Sequence, residues 1–124
     1  MARLVDLSAP NIVGAHLASR SRAPLDKLAK SKKLWERRIA IVGTHWFIRN
    51  RQFDDTLRIS TALLGDEHDL IHKAVGWMLR EVGKRDEGVL QRYLDEHATT
   101  MPRTALRYSL ERTTPERRKQ YMSR

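Results

Sequence analysis

The sequence predicts an all-α protein: a helical-repeat superhelix (α-solenoid) of about seven or eight helices in one domain over residues 1–124. Three observations carry this. Apolar side chains recur with a helical period, and no segment alternates in the manner of a strand. The stretches LWERRIAIV (34–42), LIHKAVGWM (70–78) and MPRTALRYSL (101–110) each open a helix, and their spacing of about 31–36 residues is that of two-helix repeats. Helix-starting and helix-stopping residues fall between the periodic segments.

In chain order, the expected helices cover about 3–19, 24–30, 34–49, 54–64, 69–84, 87–97, 102–112 and 115–122. Pro24, Pro102 and Pro115 suit first turns, where a missing N–H costs nothing. Asp54, Asp66 and Asp69 suit N-terminal ends, where a carboxylate meets unpaired N–H groups and the positive end of the dipole. Gly65 suits a C-terminal stop. The segment 34–49 is apolar almost all round, which marks it as central and buried. On the helix 69–84, Leu70, Ile71, Ala74, Val75, Met78, Leu79 and Val82 form the core face.

Charge adds a functional constraint. The chain carries 24 Lys+Arg against 15 Asp+Glu, net +9. The excess lies at the ends: +7 over residues 1–50 and +5 over 100–124, against −3 over 51–99. Patches of this kind fit an anionic partner, nucleic acid foremost. Without cysteine, disulfides, thiolate zinc sites and cysteine nucleophiles are excluded. No signal peptide or membrane span is visible, so the expectation is a soluble, cytoplasmic and nucleoid-associated protein with no membrane partner.

Two stripes hold candidate chemistry. Lys73, Trp77, Arg80 and Lys84 share one line of the helix 69–84. Either the cations meet phosphates with the indole against a sugar or base, or Trp77 is a core-edge residue covered by aliphatic stems. Arg38, His45 and Arg49 share a stripe of 34–49. A buried Arg38 needs either a carboxylate, from Asp6, Asp54 or Asp55, or a DNA phosphate. His68 and His72 are four apart, but HDLIH lacks a glutamate and a third ligand, so no metal is expected. Asp6 alone reads as a capping or solvated carboxylate.

The segments LVDLSAPNIVG (4–14), LWERRIAIV, DDTL (54–57), HDLIHKAVGWMLREVGKRD (68–86) and MPRTALRYSLER (101–112) resemble the bacterial DNA alkylation repair glycosylases of the AlkD type. The resemblance implies a HEAT-like superhelix whose concave cationic face holds duplex DNA. It also implies hydrolysis of the N-glycosidic bond of cationic N3- and N7-alkylated purines, without insertion of the lesion into a base pocket and with no cofactor. By position, Asp6 corresponds to the catalytic aspartate, Trp77 to a sugar-contacting aromatic and Arg38 to the cleft arginine, with Lys73, Arg80, Lys84 and Arg49 as DNA-binding cations. Where the family pattern has Trp-Asp-x-Val-Asp, this chain has Ala2-Arg3-Leu4-Val5-Asp6. The chain corresponds to the C-terminal half of the longer family domain, so a separate N-terminal half or self-association is expected to cover the first repeat.

Overall fold

The computed structural model describes residues 22–123. The expected helix over 3–19 and Asp6 lie outside the described residues. Those residues hold eight helices and no strand: α1 (Ala23–Ala29), α2 (Leu34–Val42), α3 (His45–Arg49), α4 (Asp54–Leu63), α5 (Asp69–Arg85), α6 (Glu87–His97), α7 (Arg103–Ser109) and α8 (Pro115–Met122).

One expected helix, 34–49, is two. Thr44 N–H bonds back three residues to the Ile41 carbonyl at 3.1 Å, and its hydroxyl donates to the same oxygen at 2.6 Å. Threonine back-bonding of this kind disturbs the regular ladder, and here it ends α2. A single helical wheel therefore does not describe the segment. Ala40, Ile41, Val42, Phe47 and Ile48 are buried, but Trp35 is 48% exposed and Trp46 only partly covered. The helix buried at the centre is α5, against which α2, α3, α4, α6 and α7 all pack.

The expected face of α5 is its core face: Ile71, Ala74, Val75, Met78, Leu79 and Val82 are buried. Leu70, in the first turn, is the exception at 44% exposed. His68 opens α5 by accepting from the Leu70 N–H, and Asp69 sits at the positive end of the dipole. Asp86 closes it in an extended conformation and caps α6 by accepting from Val89 N–H at 3.3 Å. Thr114 caps α8 ahead of Pro115 in the same way.

α2–α3 with α4, α5 with α6, and α7 with α8 form successive two-helix units of a helical-repeat solenoid. The second helices are tied by the Thr61–Tyr93 hydroxyl contact (3.1 Å) and by Tyr121, which donates to Asp95 at 2.8 Å. Between the first helices, α7 lies almost on the backbone of α5. A Cβ on Gly76 would stand 2.5 Å from Tyr108 Cβ and 2.7 Å from the Ala105 carbonyl oxygen. Only glycine permits that approach.

Gly65 lies just beyond α4, as expected for a stop, but its φ is not positive. The left-handed residue among those described is Arg51, with φ 59°. It follows α3, where Gln52 N–H reaches Phe47 O (2.8 Å) and Arg51 N–H reaches Ile48 O (2.9 Å), the two bonds of a Schellman cap.

Candidate nucleic-acid interface

The helical period of α5 puts Lys73, Trp77 and Arg80 on one line opposite the core face. They wall a groove of about 230 Å³ with Arg38 from α2 and Tyr108 from α7. Arg38 enters because α2 packs beside the start of α5, where its Nη1 donates to the Leu70 carbonyl at 3.2 Å. Tyr108 enters because Gly76 lets α7 close on α5. Trp77 is partly buried: its indole rests on the edge of the core, as one of the two readings expects, and it also lines the groove.

Two of the groove cations, Lys73 and Arg80, are held by carboxylates. Lys73 Nζ lies 3.4 Å from Asp69. Burial alone would raise the Asp69 pKa, but hydrogen bonds from Thr104 and Lys73 outweigh it and hold the carboxyl below its ordinary range. Arg80 pairs with Glu111, while its Nε is buried without a hydrogen-bond partner.

Lys84 lies one turn beyond Arg80 and lines a neighbouring groove of about 400 Å³ with Arg80, Glu87 and Arg112. Its Nζ is 2.8 Å from Glu81. Arg38, His45 and Arg49 do not form one continuous stripe, because the break at Gly43–Thr44 separates them. Arg38 faces the groove, whereas His45 and Arg49 sit on α3, where His45 meets Glu81 and Arg49 is exposed. The His45 Nε2 is 3.3 Å from Glu81 Oε1, and its ring centroid is 6.1 Å from that of Trp77.

Other candidates have local duties. Asp55 pairs with Arg22 (3.3 Å) and Arg58 (3.0 Å). His68 caps α5, and His72 Nε2 meets the Asp66 carbonyl. Among the described residues no group of three or more His, Asp or Glu side chains could hold a metal ion. Nor is any helix among them long and apolar enough to cross a membrane.

Sequence reasoning missed Tyr108 and the carboxylates Asp69 and Glu111. For Tyr108 a signal existed in the repeat: it is the eighth residue of MPRTALRYSL, as Trp77 is the eighth of LIHKAVGWM. Equivalent positions of consecutive repeats bring two aromatics to one groove.

The first helices of this α-solenoid gather arginine, lysine and two aromatics into one groove. The family model described as "DNA alkylation repair enzyme" matches residues 2–113, and the chain belongs to that family. No curated protein and no solved structure matches it. Family membership supports a role in DNA repair.

Proposed function

We propose that this protein acts on duplex DNA as a glycosylase of the AlkD type, releasing cationic N3- and N7-alkylated purines. The observation that carries the reading is the groove of Arg38, Lys73, Trp77, Arg80 and Tyr108, which combines cations for phosphates with aromatic faces for a sugar.

The substrate makes the chemistry simple. An alkylated purine already carries positive charge, so no general acid is needed. The C1′–N bond breaks with its electron pair going to the purine, which leaves neutral, and the deoxyribose acquires oxocarbenium character. The Trp77 indole face attracts that positive charge. Arg38 holds the backbone in register, with Lys73, Arg80, Lys84 and Arg49 as further phosphate contacts. Asp6 is assigned by family position to stabilise the cation and orient the water that adds to C1′, the proton passing to solvent. In the same reading the chain is the C-terminal half of a longer domain, completed by a separate N-terminal half or by a second copy.

Release of 7-methylguanine from methylated duplex DNA, measured with and without Asp6→Asn and Trp77→Ala, tests this. Release that both substitutions abolish supports it. Salt-dependent duplex binding without release points to a non-catalytic DNA-binding module. Capture of a protein partner with no duplex binding points to an interaction scaffold.

A further inference from the structure

We propose that the His45–Glu81 pair is the positioning device for the Trp77 indole, and that neither residue touches the DNA itself. This rests on the reading of the α5 groove as the excision site.

Trp77 and Glu81 are one turn apart on α5, and His45, the first residue of α3, bridges them. Its ring stands 6.1 Å from the indole at a 32° tilt, and its Nε2 is 3.3 Å from Glu81 Oε1. Glu81 is only 8% exposed. A carboxylate in that position must be paired, and three cationic or proton-donating groups converge on it: Lys84 Nζ at 2.8 Å, Arg85 Nη1 at 3.4 Å and His45. Removing one partner of such a cluster leaves an uncompensated charge, so the cluster holds its members to one arrangement. The imidazole is thereby fixed against the indole, leaving Trp77 little freedom to turn from the groove. A cation–π contact needs the ring face toward the charge, so a freely turning indole would forfeit part of its effect on the sugar.

His45 also suits the place by charge. The groups facing it are Glu81 and Arg85 on α5 and Arg49 on α3. Burial, reinforced by Arg49 and Arg85, holds its pKa below the ordinary histidine range against the pull of Glu81. The ring is therefore neutral at neutral pH and does not compete with a cationic sugar for the indole's electron density.

The test uses the full chain with His45→Ala, His45→Gln and Glu81→Gln. Single-turnover release of 7-methylguanine should fall about tenfold in His45→Ala and Glu81→Gln, with duplex affinity held within about twofold. His45→Gln should recover most of the rate, because its amide still donates to Glu81. It should also remove the acid-side fall that His45 protonation gives the unsubstituted protein. In a Trp35→Phe/Trp46→Phe background, Trp77 fluorescence should titrate with His45, and His45→Gln should abolish that titration. Unchanged rates in His45→Ala and Glu81→Gln overturn the inference alone, as does a fluorescence titration that survives His45→Gln. Unsubstituted protein that binds duplex but releases nothing overturns the functional reading and this role with it.

Discussion

Gly76→Ala tests the closeness of α5 and α7 directly. The added methyl would meet Tyr108 Cβ at 2.5 Å, the Ala105 carbonyl oxygen at 2.7 Å and the Ala105 carbonyl carbon at 3.3 Å. Two of these atoms are backbone and the third is the stem of a side chain, so relief requires moving α7. Overpacking of this kind costs about 1–3 kcal/mol, and alanine in a helix interior recovers about 1 kcal/mol of it. Two contacts inside 3.0 Å put this site at the upper end of that cost, so the expected net loss is about 1–2 kcal/mol, a fall in Tm of roughly 3–10 °C at this size. Two further glycines serve as internal controls. A Cβ on Gly83 meets the movable end of Leu90 at 2.5 Å, and one on Gly65 meets nothing within 4 Å. Gly83→Ala should be near neutral, and Gly65→Ala should gain about 0.4–1 kcal/mol through the unfolded state. Urea or thermal unfolding of the three variants should rank them 65, 83, 76 from most to least stable. A Gly76→Ala protein at least as stable as the parent would refute the close approach, and with it the account of how Tyr108 reaches the groove.

Arg51→Gly should stabilise by about 0.5–1 kcal/mol in the same unfolding experiment, since the left-handed φ of 59° suits glycine better. Tyr93→Phe should cost about 0.5–1.5 kcal/mol by removing the hydroxyl shared with Thr61. Lys73→Ala and Arg80→Ala should each lower the slope of log affinity against log salt for duplex DNA by about 1 or less, while changing stability by under about 1 kcal/mol. Stability should fall on acidification in two stages. His45 has a folded pKa below its ordinary 6.5, so the unfolded chain takes up its proton first and stability declines as pH drops from there through the folded value. Glu81 has a folded pKa below 4.5, because Lys84, His45 and Arg85 outweigh its burial. Its contribution is present above 4.5 and is lost as pH falls through the lower folded value. Chemical denaturation across pH should show His45→Gln removing the upper stage and Glu81→Gln the lower.

The helices were legible because their signals are local. The α5 face from Ile71 to Val82 follows from period alone, and the Pro115 and Asp69 boundaries follow from backbone chemistry. The break at Thr44 was not legible, since a threonine hydroxyl can bond back to its own turn or point elsewhere, and tertiary packing decides. The Lys73–Trp77–Arg80 line was legible for the same reason as the core face. Its closure by Tyr108 depends on a distance between two helices that a wheel does not contain, although the repeat register held the clue. The counter-charge Glu111 was harder still, whereas Asp69 stands one turn before Lys73 on the same helix. Glu111 is 31 residues from its partner Arg80, and nothing in either position announces the pair.

Those counter-charges alter what a titration with salt would reveal. Cations that already hold a carboxylate trade one anion for another when a phosphate arrives, and the displaced carboxylate stays tethered nearby. The local field is partly cancelled before and after the exchange, so the ionic-strength dependence of binding would undercount the side chains in contact. On the proposed reading, Asp69 and Glu111 would stand where phosphates come to lie, and would hold Lys73 and Arg80 in place until a duplex arrives.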